Sequence, residues 1–373
     1  MNDRPMTIDV IRIPTKSPGD VSGLLQHIDA GTVNPSNIIA VLGKTEGNGG
    51  VNDFTREFAL SALCHALSSH LRLPPSAVED KIAFVMSGGT EGVLSPHLTI
   101  FSRAEAGNAP AVQTNGEGGK RLSIGIAHTR DFLPEEIGRA VQIKETINAV
   151  HAAMSDAGIA DARDVHFVQV KCPLLTSERI EAAFDRGQRT VTTSAYGSMG
   201  YSRGASALGV AHALNEIQNE IDENRVLKDW SVFSSVASAS AGIELMHNVV
   251  IVMGNSARSE SPFVIGHAVM RDSIDLAAVL AALKSVGLGL ADAKMQDRLV
   301  NIFAKAEASP DGAVRGFRHT MLDDSDVGST RHARAAVGGL IAGLSGTGAV
   351  YVSGGAEHQG PPGGGPVAVI ARV

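Results

Sequence analysis

A serine-containing stretch occurs three times along the chain, and this repetition constrains the fold more than any other feature of the sequence. The copies occupy residues 85–92, 239–245 and 351–358. In each copy a serine ends a run of apolar or small residues, and a glutamate follows four positions later. These pairs are Ser87 and Glu91, Ser240 and Glu244, and Ser353 and Glu357. Because self-similarity within one chain indicates a repeated structural unit, the sequence predicts a unit that was tripled.

The length and charge of the chain limit what it can be. Its 373 residues exceed the usual size of a domain with one core, so internal division is expected. A hydrophobic content of 43% with 19% charged residues is typical of a globular enzyme. The formal net charge of -7, without a basic block, argues against nucleic acid or an anionic membrane as a partner.

Cysteine content and apolar runs narrow the class further. Two cysteines, Cys64 and Cys172, provide neither a disulfide framework nor a zinc site. Residues 1–5 lead into a short alternating strand rather than an apolar signal segment. No apolar run approaches the roughly 20 residues of a membrane span. The sequence therefore predicts a cytoplasmic α/β protein.

The order of predicted elements is the same in three successive parts of the chain. Each part reads strand, helix, strand ending at a lysine, helix carrying an arginine, strand ending at a serine, and closing strand. The predicted repeats are unit A (residues 1–103), unit B (121–257) and unit C (258–373), with a polar, glycine-rich linker or surface loop at 104–120. This order predicts an α/β fold of three similar strand–helix repeats around a pseudo-threefold axis.

Three residue types recur at fixed points of these units. Lysines are predicted just past one buried strand, serines just past another, and arginines at the start of a helix. They are Lys44, Lys171 and Lys305, Ser87, Ser240 and Ser353, and Arg56, Arg203 and Arg334. In α/β proteins ligands gather at the carboxyl ends of strands and the amino ends of helices, so we expect these residues to face one central cavity. Such a pocket suits a small anionic or carbonyl-rich ring of threefold character.

The predicted helices carry these arginines and provide a test of the pattern. One amphipathic helix is expected over residues 54–71, with Asp53 as its N-cap. A long helix is expected over 135–157, and another from Arg203 to about residue 217, after a polar stretch at 196–202. In unit C the helix register favours Arg334 over Arg331 as the third arginine.

Each recurring residue type also has an ordinary structural explanation. A serine before glycines usually marks a tight turn, and a lysine after a strand usually extends to water. The same order in three units favours a shared site over three coincidences. Ile38 stands where a phosphate-binding P-loop requires glycine, and no histidine pair has the spacing of a zinc amidohydrolase. The irregular segment 358–366 is of a kind that can turn carbonyl oxygens toward a hard cation.

Several long motifs resemble the cyanuric acid hydrolase/barbiturase family, and more closely its cyanuric acid hydrolases. These motifs occupy residues 43–49, 86–92, 168–173, 238–242 and 353–366. The resemblance implies a Toblerol fold, in which three similar repeats surround one active site, usually within a homotetramer. It also implies hydrolytic opening of the cyanuric acid ring, an s-triazine, to carboxybiuret, which decarboxylates to biuret.

The resemblance also assigns roles to individual residues. It implies that Ser240 is the nucleophile and that Lys171 is its catalytic partner. It implies a substrate-binding set of Arg56, Ser87, Gly88, Arg203, Ser240, Ala241, Arg334, Ser353 and Gly354, together with Lys44 and Lys305. It implies no organic cofactor, but a structural magnesium or calcium ion held by Glu307 and backbone carbonyls near Ala356, Gln359, Gly360, Pro361 and Gly364. It places the choice of substrate near Thr330.

The chemistry of lysine and serine predicts a mechanism with open alternatives. Lysine can activate a serine only when its amine is neutral, and several cations around one desolvated pocket lower a lysine's pKa. Ala241 breaks the Ser-Gly pattern in unit B, which favours that unit for catalysis, with Lys44 and Ser87 as the rival pair. A barbiturase acting on barbituric acid, or a non-catalytic binder of small anionic rings, would suit the same pocket. Three lysine–serine pairs favour an enzyme, because anion capture alone requires no base.

Overall fold

The computed structural model describes residues 5–105, 119–290, 292, 294–322 and 327–373. The first part of the chain forms four strands and three helices. They are β1 (Met6–Pro14), α1 (Ser22–Asp29), β2 (Ile38–Thr45), α2 (Phe54–Leu71), α3 (Pro75–Lys81), β3 (Ala83–Gly88) and β4 (His97–Glu105).

The second part repeats this order with one additional long helix before its second strand. Its elements are β5 (Arg121–His128), α4 (Ala140–Asp156), β6 (Val165–Pro173), α5 (Ser177–Asp185), α6 (Ala195–Ala213), β7 (Ala237–Gly242) and β8 (Val249–Ser256). The third part follows the same plan and adds a small hairpin. Its elements are β9 (Phe263–Met270), α7 (Leu276–Ser285), α8 (Met295–Arg298), β10 (Leu299–Ala306), β11 (Ala313–Val314), β12 (Phe317–Arg318), α9 (Ser329–Ser345), β13 (Tyr351–Gly354) and β14 (Gly365–Arg372).

Strand pairing confirms the predicted threefold architecture. Within the described residues, the three four-stranded sheets have the orders β1-β4-β2-β3, β5-β8-β6-β7 and β9-β14-β10-β13. In every sheet the first, closing and second strands pair antiparallel, and the second and third strands pair parallel. The parallel register places each lysine beside the serine of its own unit. These pairs are Lys44 and Ser87, Lys171 and Ser240, and Lys305 and Ser353.

Helix α2 illustrates how the local sequence determines an element. The Asp53 side chain accepts a hydrogen bond of 3.1 Å from the Thr55 backbone N–H, which satisfies a donor that the first helical turn leaves free. Ala59, Leu63 and Leu67, spaced four residues apart, form the buried face of the helix. The predicted bounds and the predicted N-cap are both confirmed.

Two predictions about the recurring residues are wrong in detail. The lysines and serines lie within their strands rather than just past them, because the parallel ladder continues through both residues. Arg203 does not open a helix, since α6 begins eight residues earlier, where Ser194 caps it by accepting a bond of 3.0 Å from the Gly197 backbone N–H. The stretch before Arg203 looked non-helical because glycine and serine are weak helix formers, and burial of this segment in the tertiary structure overrides that preference. Arg334 is likewise in the second turn of α9.

Other boundaries differ from the predictions at the ends of elements. Helix α4 begins at Ala140 rather than at residue 135, because residues 134–136 form a separate 3-10 turn that begins with proline. Ala104 and Glu105 belong to β4, so they are not part of a linker. Residues 106–118 of the predicted linker lie outside the described residues.

The units are joined by an apolar core between the three sheets. At its centre the Phe303 ring lies 5.4 Å from the ring of Phe167, 5.6 Å from Tyr351 and 6.4 Å from Phe101. These four side chains are fully buried and come from strands of all three sheets. The core thereby fixes the sheets relative to one another and sets the geometry of their carboxyl ends. None of the helices in the described part of the chain has the length and apolar character to cross a membrane.

Candidate active site

The carboxyl ends of the serine-bearing strands meet at one cavity of about 440 Å³. Its wall contains three serines, three arginines and the residues that follow the serines. They are Ser87, Gly88, Ser240, Ala241, Ser353, Gly354, Arg56, Arg203 and Arg334, with Thr330 at the same wall. The fold therefore brings together the pocket residues that the sequence predicts, although they come from units more than a hundred residues apart.

The three lysines lie directly behind the serines and are almost fully buried. Lys44 Nζ donates a hydrogen bond of 3.1 Å to Ser87 Oγ, and Lys305 Nζ donates one of 3.2 Å to Ser353 Oγ. Lys171 Nζ is arranged differently, because it donates to the Met86 carbonyl at 3.1 Å and lies 2.7 Å from Glu244 Oε1. Lys171 is thus the lysine of the three that is not hydrogen-bonded to its own serine.

Burial and nearby cations depress the basicity of all three lysines. Burial, with the charge of Arg334, lowers the pKa of Lys44 well below its ordinary value. Burial and Arg203 lower the pKa of Lys305 to about 7. Burial also lowers the pKa of Lys171, although the Glu244 carboxylate opposes the shift. These directions agree with the sequence prediction that converging cations and desolvation make a neutral amine accessible.

Two of the arginines are held by glutamates of a different unit. Arg334 donates from Nε and Nη2 to Glu91 at 2.8 and 2.5 Å, and Arg203 donates from the same atoms to Glu357 at 2.7 and 2.5 Å. Bidentate pairs of this kind fix the plane of the guanidinium. The sequence reasoning missed this role, although the signal was present, since these glutamates are the fourth residue after each repeated serine.

The third arginine is held in another way. Arg56 donates to the Gly50 carbonyl at 2.6 Å and to the Ala241 carbonyl at 3.2 Å. Its nearby carboxylate is Asp53, 3.4 Å from Nε, whereas Glu244 pairs with Lys171. Burial by itself raises the pKa of Glu244, but Lys171 and Arg56 outweigh burial and lower that pKa to about 2, so the carboxylate is ionised. Unit B therefore departs from the pattern of the other two.

The serine hydroxyls are close enough to contact one substrate together. Ser240 Oγ lies 3.2 Å from Ser353 Oγ, within hydrogen-bond distance. Arginines above and buried lysines below surround this group of hydroxyls, so the pocket is electropositive. A small ring with several carbonyl oxygens would find a donor on every side.

The residues implied as metal ligands lie beside the pocket rather than in it. Glu307, Ala356 and Gly360 line a neighbouring cavity of about 430 Å³. Burial and the adjacent Glu357 raise the pKa of Glu307, and Thr330 Oγ1 donates to both Glu307 oxygens at 3.3 Å. A buried carboxylate next to a second carboxylate and backbone carbonyls forms an all-oxygen donor set, which suits a hard cation such as Mg²⁺ or Ca²⁺.

The remaining implied ligands lie in the same C-terminal loop. The Pro361 carbonyl accepts a hydrogen bond of 2.9 Å from the Gly364 backbone N–H. The Gln359 side chain faces the seam between units, where its Oε1 accepts a bond of 2.7 Å from the Ala239 backbone N–H. Gln359 could therefore offer its backbone oxygen to a cation while its side chain ties the loop to β7.

Known proteins are similar to this chain over its whole length. A family profile described as "Amidohydrolase ring-opening protein" matches residues 9–372. The cyanuric acid amidohydrolase of Bradyrhizobium diazoefficiens is 70% identical, over 99% of this chain and 99% of that protein. The cyanuric acid amidohydrolase of Pseudomonas sp. strain ADP is 62% identical, over 98% and 99%. A solved structure of a cyanuric acid hydrolase superposes with a TM-score of 0.93 at 60% identity, covering 99% of this chain and 100% of that one.

Proposed function

Since the chain belongs to the family of ring-opening amidohydrolases, we propose that it hydrolyses one amide bond of cyanuric acid. The product is carboxybiuret, which decarboxylates to biuret. The observation that supports this substrate is the pocket itself, in which serines and arginines from three equivalent units converge on one cavity of about 440 Å³. A cyclic triimide has the same threefold symmetry and presents a carbonyl oxygen to each unit.

We propose Ser240 as the nucleophile and Lys171 as the general base. The neutral amine of Lys171 takes the hydroxyl proton of Ser240, whose Oγ attacks a ring carbonyl carbon. Their place in the register, side by side on β6 and β7, supports this assignment. Lys171 then gives the proton to the leaving ring nitrogen, and water hydrolyses the acyl group from Ser240.

The departure of unit B from the pattern supports choosing it over units A and C. A symmetric ring held by three equal sites would have no preferred bond to break. Lys44 and Lys305 each donate to their own serine, whereas Lys171 is held by Glu244, and Ala241 replaces the glycine that follows the other serines. Units A and C then orient the ring, and unit B performs the chemistry.

The remaining groups position the ring and stabilise charge. Arg203 and Arg334, fixed by their glutamates, orient carbonyl oxygens of the ring that do not react. Backbone N–H groups at the serine turns are placed to stabilise the oxyanion that develops on the attacked carbonyl. A donor of this kind contributes roughly 3 kcal/mol in other enzymes.

The test of the function is hydrolysis of two rings by the purified protein. We expect release of carbon dioxide and biuret from cyanuric acid, and much slower opening of barbituric acid, which lacks one ring nitrogen. Barbituric acid turnover with cyanuric acid inert would make the enzyme a barbiturase. Binding of either ring without turnover would overturn the enzymatic proposal in favour of a carrier or sensor.

We also propose that Glu307 and carbonyls of the C-terminal loop hold a structural magnesium or calcium ion. Such an ion would neutralise Glu307 and stabilise the loop that carries Glu357, the partner of Arg203. The residues implied for this site are Glu307, Ala356, Gln359, Gly360, Pro361 and Gly364. No step of the ring-opening reaction depends on the ion.

Metal addition is expected to stabilise the folded protein. After dialysis against a chelator, Mg²⁺ or Ca²⁺ at 100 times its dissociation constant adds about 2.7 kcal/mol to the free energy of unfolding. The rise in melting temperature is expected to vanish in Glu307→Gln and to persist in Glu220→Gln, whose side chain is exposed elsewhere. An unchanged melting temperature of the wild type with both ions would contradict the site.

We further propose that the enzyme works as a cytoplasmic homotetramer. Support comes from the family resemblance and from large apolar side chains on the surface of α2, where Phe54 is 73% and Phe58 60% exposed. Surfaces of this kind often mark subunit contacts. Sedimentation of the purified protein as a monomer, or its recovery outside the cytoplasmic fraction, would contradict the corresponding part of this proposal.

A further inference from the structure

The glutamates that follow the three serines have different partners. Glu91 of unit A pairs with the arginine of unit C, and Glu357 of unit C pairs with the arginine of unit B. The same rotation about the pseudo-threefold axis relates Glu244 of unit B to Arg56 of unit A. Glu244 instead lies 2.7 Å from Lys171 Nζ. The partner that symmetry assigns to Glu244 is therefore not the one it contacts.

Arg56 is correspondingly incomplete. Its Nε is buried and has no hydrogen-bond partner within the described part of the chain, although Asp53 Oδ2 lies 3.4 Å away. In Arg203 and Arg334 this same atom donates to a glutamate. Because a buried donor without an acceptor is costly, the site lacks one carboxylate oxygen. Glu244 is the residue in the equivalent position to supply it.

The backbone of the serine turn also differs in unit B. Gly89 and Gly355 have positive φ angles of 107° and 75°, and the chain turns away from the sheet there. The equivalent Gly242 lies outside the left-handed region and stays in the ladder opposite Pro173. A Cβ on Gly242 would lie 2.1 Å from Glu244 Oε2, so the carboxylate is folded back over this residue. Glycine permits both backbone conformations, which means that the turn of unit B can also adopt the form seen in units A and C.

A cavity of about 730 Å³, lined by both Arg56 and Glu244, leaves space for the carboxylate to move. Other titratable groups line the same cavity or act on these residues. They are Asp53, Glu57, Cys64, His65, Glu79, Asp80, His128 and His247 in the cavity wall, with Cys172 beside Lys171 and Arg179 near Glu244. Arg56 and Lys171 are the cations through which Glu244 is held ionised.

We propose that Glu244 is the positioning residue of unit B: its carboxylate holds Lys171 in the free enzyme and moves to the Nε–H of Arg56 when a ring fills the central pocket. The move releases the Lys171 amine toward Ser240 and fixes Arg56 as Arg203 and Arg334 are already fixed. A bound ring favours it by excluding water, which raises the cost of the unpaired guanidinium donor. This inference rests on the proposed ring-opening function.

The pH dependence of the reaction tests this exchange. The acidic limb of kcat/KM reports the free enzyme, and that of kcat reports the bound enzyme. Glu244 raises the pKa of Lys171 while the two are paired, and a base is active only above its pKa. Glu244→Gln is therefore expected to move the limb of kcat/KM to lower pH by about one unit or more, and to move the limb of kcat less. The ionisation of the ring itself is common to all variants and cancels in the comparison.

Matched variants make the result specific. Glu91→Gln and Glu357→Gln remove the corresponding carboxylates of units A and C, so we expect a higher KM with both limbs in place. Glu244→Asp keeps the charge and is expected to restore much of the wild-type limb. If Glu244→Gln does not fold, Arg56→Lys removes the Nε–H while keeping the charge, and the limb of kcat should then rise to that of kcat/KM. Unmoved limbs in Glu244→Gln, or equal shifts in the two control variants, would overturn the inference while leaving the function intact.

A structure with barbituric acid bound provides a readout that needs no turnover. We expect a Glu244 oxygen at about 3 Å from Arg56 Nε and a positive φ at Gly242. Glu244 still paired with Lys171 beside a bound ring would overturn the inference. Wild type that neither binds nor opens a ring would overturn the proposed function with it.

Discussion

Ser240→Ala is expected to lower kcat for cyanuric acid by roughly 10⁴-fold or more, because removal of a nucleophile abolishes the covalent route. Ser87→Ala and Ser353→Ala remove hydroxyls that bind the ring without forming a bond to it. Loss of one such hydrogen bond costs about 0.5–1.5 kcal/mol, which corresponds to roughly a tenfold loss in kcat/KM. Steady-state kinetics of the three variants against the wild type measure the difference.

The three serines are matched controls for one another. Each lies in the parallel ladder beside its own lysine, and each is nearly buried at the pocket wall. A structural disturbance would therefore affect all three variants alike. Loss of turnover in Ser87→Ala with activity kept in Ser240→Ala would move the chemistry to unit A, where Lys44 already donates to Ser87 at 3.1 Å.

Phe303→Ala is expected to destabilise the fold by about 3–5 kcal/mol, the range for truncating a buried phenylalanine. Phe303 is fully buried and contacts the rings of Phe167 and Tyr351, which belong to the other strands around the central core. Truncation leaves a cavity where the three sheets meet, and the rigid strands around it can collapse only in part. Urea denaturation followed by circular dichroism measures the loss as a lower midpoint.

An exposed phenylalanine controls for the chemical change alone. Phe184 on α5 is 74% exposed, so Phe184→Ala is expected to change the unfolding free energy by no more than about 0.5 kcal/mol. If Phe303→Ala costs less than about 1 kcal/mol, the central core does not hold the three sheets together as described here.

Local sequence patterns were sufficient to predict the fold and the make-up of the pocket. Helix α2 was placed to the residue, since an aspartate cap and four-residue apolar spacing act within a few residues of each other. The lysine, arginine and serine of each unit were found because the same order occurs three times. Where weak helix formers are buried, as before Arg203 in α6, local propensity predicted the wrong start of the helix.

What the sequence by itself determined is the tripled unit, the sheet order that follows from it, and the residue types at the pocket. Only the tertiary structure decided which charges meet, because that depends on how the units pack against one another. Glu91 and Arg334 are 243 residues apart, and no local period connects them. The sequence presents Glu91, Glu244 and Glu357 as equivalent, yet the fold gives two of them an arginine and gives Glu244 the buried Lys171. A buried charge pairs with the opposite charge that packing brings within reach, and in unit B that is a lysine of the same sheet.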